Sequence, residues 1–283
     1  MNVLDELDRH AGEWTRFAPM PLPGVSLLTA RFTRHRYARH VHDGYTVAII
    51  DEGAQTFRYR GTSHMAVAGD IVVLGAEEPH DGKASGESGY RYRTLHIDPR
   101  WLADERGRLP DFKVAVLRDE QLRRSLSRLC VHLDSPTAEP EASVEILDAT
   151  LGLLRRRHSE SRAVGDGPQS PTDNVLAAAA RRLLDRSFDD ERHTVEQIAR
   201  QLGVSRSHLS RAFARIQGLP PHAWRLHRRL ARAMRLLQGG ETIATAAQAT
   251  GFADQSHFSR RFKAVYGVTP GQAVEVPMQA KAR

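Results

Sequence analysis

The sequence predicts a multi-domain α and β chain: a β-rich barrel or sandwich, then a helical pair, then an all-α domain with two helix-turn-helix motifs. Three observations predict it. Short apolar runs between Val25 and Ile97 are punctuated by glycines, a leucine stripe at steps of three and four begins at Leu122, and one helical pattern occurs twice beyond residue 194. The 283 residues give room for two ordinary domains of roughly 100 to 200 residues each.

Several classes are excluded at the outset. Cys130 is the single cysteine, so a disulfide scaffold cannot form, and no stretch approaches the roughly 18 consecutive apolar residues of a membrane span. Met1 to Trp14 carries four acids and no apolar run, which is unlike a secretory signal. A cytoplasmic chain without membrane contact is expected. Charge is unevenly distributed: of 41 basic and 34 acidic residues, residues 172–283 hold 18 basic and only 9 acidic. A near-neutral first half joined to a basic second half points to a polyanionic partner for the second, nucleic acid above all.

In the first half, Tyr45 to Ile50, Gln55 to Tyr59 and Asp70 to Leu74 read as short strands, with Gly44, Gly53, Gly61, Gly69, Gly75 and Gly82 between them. Leu122, Leu126, Leu129 and Leu133 then form one helical stripe, and Val144, Leu147, Leu151 and Leu154 a second, after proline breaks at Pro136 and Pro140. Such a pair either covers the barrel or forms a homodimer interface. Cys130 falls within the first stripe, where a buried, inert thiol is expected. Arg155 to Asp173 has the serine, glycine and proline content of a linker, so the domains are expected at 1–165 and 174–283, with 166–173 between them.

The function is carried by the repeat, Ser207-His-Leu-Ser-Arg-Ala-Phe213 and Ser256-His-Phe-Ser-Arg-Arg-Phe262, 49 residues apart, with Gly218 and Pro221 matching Gly267 and Pro270. Each copy follows a short helix and a glycine turn, at Gly203 and Gly251. Thr194, with Glu196 nearby, caps the first short helix in this reading, and Ser205 and Asp254 are placed to cap the second helices. The motifs then span about 194–217 and 242–266. Leu209, Phe213 and Ile216, or Phe258, Phe262 and Val265, form the buried stripes. The opposite faces carry Arg206, Ser207, Ser210 and Arg211, and Gln255, Ser256, Ser259 and Arg260. Arginine pairs bidentately with guanine and glutamine with adenine, while serine permits close approach to base edges. Between the copies, His222 to Leu237 reads as one helix flanked by Arg225, Arg228, Arg229, Arg232 and Arg235, side chains suited to phosphate contact or to solvent.

On these residues, 175–271 resembles the DNA-binding domain of the AraC/XylS family of transcription regulators, most closely from Gly251 to Pro270. The resemblance places base contacts on Ser207, Ser210, Arg211, Gln255, Ser256 and Arg260. The chain departs from the family pattern at Gln272 to Val276, where an aromatic and an arginine are common. In the first half, Arg39-His40-Val-His42, then Gly69 to Leu74 with Glu78-Pro79-His80, is similar to a cupin-like β-barrel of the arabinose-type sensing domains.

His40, His42 and His80 are candidate metal ligands in such a barrel. However, Val47 stands where metal-binding cupins carry a glutamate, so no metal or other cofactor is expected. The same histidines, with Tyr45, Arg58, Tyr92 and His96, are the candidate effector-binding groups. No nucleophile elbow or phosphate-binding loop is present. The resemblance therefore implies a non-enzymatic regulator, more often an activator, that binds double-stranded promoter DNA at the nucleoid and a small-molecule effector in its barrel. RNA polymerase and a second copy of the chain are its further expected partners. The rival reading is a metal-dependent cupin enzyme with a DNA-binding tail.

Overall fold

A computed structural model describes residues 12–18, 22–159, 171–186 and 194–274. The chain divides into two compact units, one with its main span at Gly44–Arg162 and the other at Ala163–Pro270.

Among the described residues the first is a nine-stranded, largely antiparallel assembly. Strands β1 (Trp14–Phe17), β2 (Val25–Phe32), β3 (Arg36–His40), β4 (Tyr45–Tyr59), β5 (Thr62–Val67), β6 (Ile71–Leu74), β7 (His80–Ala84), β8 (Tyr90–Ile97) and β9 (Val116–Leu117) run in the order β1-β2-β8-β4-β6-β9. In addition, β5 and β7 pair with β4, and β3 pairs with β7. The runs Tyr45 to Ile50 and Gln55 to Tyr59, expected as two strands, are one strand serving two sheets. Its first part pairs with β6 and β8, its last with β5 and β7. The change of direction sits at a bulge between Ile50 and Glu52 and at Gly53, whose φ is +68°. A Cβ on Gly53 would lie 2.0 Å from the Gly89 carbonyl oxygen, so the glycine marks a bend with close backbone approach rather than a strand end. β1 was not anticipated: its four half-buried residues pair along the β2 edge from within a segment of low apolar content.

Tyr45 to Ile50 is buried throughout because both faces of β4 are covered. One face contributes Ala48 and Ile50 to the barrel interior with Phe32, Phe57, Tyr59, Tyr90 and Tyr92. The other contributes Tyr45, Val47 and Ile49 to a core shared with helices α1 (Glu120–Leu133) and α2 (Pro140–His158). Both leucine stripes are buried there, so in this chain the helical pair covers the sheet. Asp119 joins the two helices. Its carboxylate accepts from the Leu122 N–H at the start of α1 and from Arg157 and His158 at the end of α2, at 2.6 and 2.7 Å. Burial works against its charge, but these donors hold the carboxyl down at about 2. Cys130 is buried, and burial pushes its thiol up to about 12, as an inert thiol requires.

The second unit is helical: α3 (Pro171–Arg186), α4 (Val195–Gln201), α5 (Arg206–Gln217), α6 (Pro221–Gln238), α7 (Ile243–Ala249), α8 (Gln255–Tyr266) and α9 (Pro270–Val274). The linker expectation needs correction at both ends. Arg155 to His158 complete α2, and Pro171 to Asp173 form the first turn of α3, where proline suits the position because its missing N–H has no helical partner. Residues 160–170, which hold most of the expected linker, lie outside the described residues. Leu176, Ala180 and Leu184 of α3 pack with Ile198, Leu209, Phe213 and Trp224 in one core.

Candidate nucleic-acid interface and ligand pocket

Two helix-turn-helix units are built in parallel ways. Thr194 caps α4 in a reciprocal capping box, with Gln197 rather than Glu196 as the partner, and Thr242 caps α7 by accepting from the Thr245 N–H at 3.1 Å. Each short helix ends in a left-handed glycine, Gly203 at φ +69° and Gly251 at φ +74°. Each turn is closed by the same 3.0 Å bond, Val204 N–H to the Ala199 carbonyl and Phe252 N–H to the Ala247 carbonyl. The second helices are capped by Ser205 and Asp254, whose oxygens accept from the His208 and His257 N–H groups at 3.2 and 2.6 Å. Both second helices end at left-handed glycines, Gly218 and Gly267.

On α5, Leu209, Ala212 and Phe213 are buried, and Arg206, Ser207 and Arg211 are exposed, with Ser210 half-buried beside them. On α8, Phe258, Phe262 and Val265 are buried, and Gln255, Ser256 and Arg260 are exposed, with Ser259 half-buried. All eight predicted contact residues thus lie away from the buried stripes, on two helix faces open to solvent. α6 joins the motifs as one helix of 18 residues and buries Trp224, Leu230, Ala233, Met234 and Leu237.

The arginines of α6 are not all free for phosphate. Arg229 turns inward: its Nε donates to the Thr250 carbonyl at 2.5 Å, a second nitrogen donates to the Gly251 carbonyl, and the guanidinium lies 4.3 Å from the centre of the Phe252 ring. It satisfies carbonyls that the end of α7 leaves without helical partners. Sequence alone could not separate it from its neighbours, since periodicity places it beside the apolar stripe. Arg228 pairs with Asp185 of α3 at 3.2 Å.

The candidate effector groups do not share one place. Tyr92 and His96 face the barrel interior. There the Tyr92 hydroxyl meets that of Tyr37 at 3.0 Å, and His96 Nδ1 lies 3.3 Å from the Thr46 hydroxyl. Burial lowers the His96 pKa to about 4, leaving it neutral at pH 7. Tyr45 is on the opposite face of the sheet, its ring edge-on to Phe112 and its hydroxyl donating to the Pro110 carbonyl at 2.8 Å. It therefore packs between sheet and helices, away from the barrel interior: β4 is covered on both faces, and alternation alone does not tell which face is the inside.

Of the three candidate metal ligands, His40 and His42 belong to the stretch Arg39–Asp43, which groups with the helical unit, and His80 belongs to the β unit. His40 and His42 share a 3.1 Å contact between their Nε2 atoms, and His80 Nδ1 meets the Glu78 carbonyl at 2.9 Å.

Arg58 lines a cavity of about 320 Å³ with Arg36, Tyr37, Thr56, Phe57, Ser63, Asp81, Gly82 and Lys83. Of these, only Arg58 was singled out from the sequence. The others come together through the β3–β7–β4–β5 pairing, which local pattern does not reveal.

Residues 22–155 match the family described as an AraC-like ligand binding domain, and residues 198–275 match a helix-turn-helix domain family. The arabinose operon regulatory protein of Escherichia coli K12 is 31% identical over 236 residues, covering 81% of this chain and 80% of that protein. The HTH-type transcriptional activator RhaR of Klebsiella pneumoniae is 25% identical over 258 residues, covering 86% and 89%. Among solved structures, ToxT from Vibrio cholerae O395 is similar at a TM-score of 0.57 and 16% identity, over 89% of this chain and 97% of that one. At that identity the likeness is one of fold. Among the described residues no helix is long and apolar enough to cross a membrane.

Proposed function

The chain belongs to the AraC family of transcriptional regulators, and on that premise we propose how its two units divide the work. α5 and α8 enter successive major-groove segments of promoter DNA about one helical turn apart, the spacing set by α6. Arg211 and Arg260 pair with bases, Gln255 reads an adenine, and Ser207, Ser210, Ser256 and Ser259 allow the helices to approach, with Arg206 beside them. The observation that supports this most directly is the pair of capped units, each turning a serine- and arginine-bearing face to solvent.

The β unit binds the effector, and effector binding shifts which DNA-binding arrangement is populated. The protein acts without catalysing a reaction, in the cytoplasm at the nucleoid, and as an activator that contacts RNA polymerase, in keeping with the activator name of one relative. A homodimer would use the outer face of the helical pair, where Val131 is 68% exposed, because the leucine stripes are already covered.

The test is selection of bound sequences from a random DNA pool by the full-length protein at near-physiological salt. The expected result is a motif with two blocks about one helical turn apart. Recovery of no motif, with an affinity set only by salt, would overturn the reading in favour of charge-driven binding.

A further inference from the structure

The pairing between β7 and β4 is interrupted partway along. The two strands pair at Thr56 with Lys83 and again at Tyr59 with His80, and between these points the Arg58 N–H donates to the Asp81 carboxylate at 2.7 Å. Gly82 adds no side chain here, and a Cβ on it would come within 2.6 Å of Gln55 Nε2. Tyr37 and Phe57 line the cavity at this break, and Arg36, Arg58 and Lys83 line it as exposed side chains.

These three cations differ from their neighbours. Nearby, Arg60 in the turn between β4 and β5 holds Glu78 and Asp111, and on β8 Arg91 holds Glu52 and Arg93 holds Asp51. Arg36, Arg58 and Lys83 make no side-chain ion pair among the described residues. Among the described residues Asp81 is the one carboxylate lining the cavity, and it is engaged by a backbone N–H, so three positive charges face one negative. Such a surplus favours an anionic occupant, and two guanidinium forks suit oxyanions that accept paired hydrogen bonds. The volume is at the small end of ligand sites and two of the lining groups are aromatic, which selects a compact body over a long chain.

We propose that this cavity binds a small organic dianion, a phosphomonoester or a dicarboxylate on a compact apolar body, as the molecule that the β unit senses. The assignment rests on the reading of that unit as the sensor. Arg58 and Lys83 hold the charged groups from two strands, Arg36 closes over them from β3, and Tyr37 and Phe57 cover the body. Because the Tyr37 hydroxyl bonds that of Tyr92, an occupant pressing on Tyr37 acts directly on the barrel interior.

The test is calorimetric titration of the full-length protein with phenyl phosphate, isophthalate and, as a neutral comparison, benzyl alcohol. At least one dianion should bind saturably with one site per chain while benzyl alcohol does not, and the preferred dianion tells phosphate from carboxylate. Arg58→Gln and Lys83→Gln should each weaken that binding by at least about tenfold. Arg106→Gln, which removes an exposed cation that does not line the cavity, should leave it unchanged. All these side chains are exposed, and circular dichroism checks that each variant is folded. The proposal fails if neither dianion binds, if benzyl alcohol binds equally well, or if the Arg36→Gln, Arg58→Gln, Lys83→Gln triple variant binds as tightly as the parent. DNA selection on the same preparation separates the two readings. A recovered motif without dianion binding removes the ligand class alone, whereas dianion binding without a motif removes the regulator and leaves the pocket.

Discussion

The two helix-turn-helix units present matching faces but are held in place differently. Their short helices repeat at an offset of 48, Thr194 to Thr242, and their second helices at 49, Ser207 to Ser256, so the second turn carries one extra residue. The first unit is braced from outside: Asp173 on α3 is 8% exposed and receives Arg215 of α5, with His208 at 3.4 Å. The second relies on an internal ring series, Phe252, Phe258, Phe262 and Tyr266 at centroid separations of 5.1, 5.4 and 4.6 Å, together with Arg229, which reaches its longer turn from α6. A reading face can therefore be conserved in form while its support is an ion pair in one copy and an aromatic stack in the other. The two copies should fail in different ways.

The largest expected effect comes from Arg229→Ala. It removes two donors to the end of α7 and a cation from the face of Phe252, a loss on the order of 2 to 4 kcal/mol in the stability of the helical unit. Denaturant unfolding measures that loss. Footprinting on the selected site should show protection fading at the block read by α8 while the block read by α5 persists. Equal fading at both blocks would mean that Arg229 supports α6 as a whole rather than the second turn.

Arg211→Ala and Arg260→Ala come next and compare the faces themselves. Each should cost about 1 to 3 kcal/mol on the cognate site and relax preference at one base of its own block. Titration against random DNA gives the contrast: an equal loss there would assign that arginine to a phosphate. Asp173→Asn should be weaker, about 1 to 2 kcal/mol, since it leaves an amide to accept from Arg215 while removing the charge from a nearly buried position. It should lower stability and spare the α8 block, the mirror image of Arg229→Ala.

How much of this was legible in the sequence follows the range of the interactions. The repeat, the glycine turns, both leucine stripes and the caps at Ser205 and Asp254 depend on residues a few positions apart, so spacing reveals them. Arg229 was not separable from Arg228 or Arg232, because its role depends on Thr250 and Gly251 some twenty residues away. The β half was legible in class but less so in detail. The merging of two expected strands into β4 depends on the Gly89 carbonyl lying against Gly53, and Tyr45 falls on the helix side of a strand buried on both faces. Arg36, Tyr37 and Lys83 reach Arg58 only through strand pairing across the barrel, which leaves no local pattern.

The smallest effect tests whether the two caps are interchangeable. Serine and aspartate both accept from the N–H three residues on, so as hydrogen-bond caps they are nearly equal. They differ by one negative charge at the positive end of a helix, worth about 0.3 to 1 kcal/mol at low salt. Asp254→Ser should therefore lower stability by a few tenths of a kcal/mol, and Ser205→Asp should raise it by a similar amount. On DNA the signs reverse, because the same carboxylate stands at the start of a helix that approaches phosphates. Asp254→Ser should bind more tightly and Ser205→Asp less tightly, with both differences shrinking as ionic strength passes ~0.1 M and the screening length falls to about 10 Å. If the two substitutions change DNA affinity in the same direction, the helix starts face the phosphates unequally, and the two motifs dock in different orientations despite their shared construction.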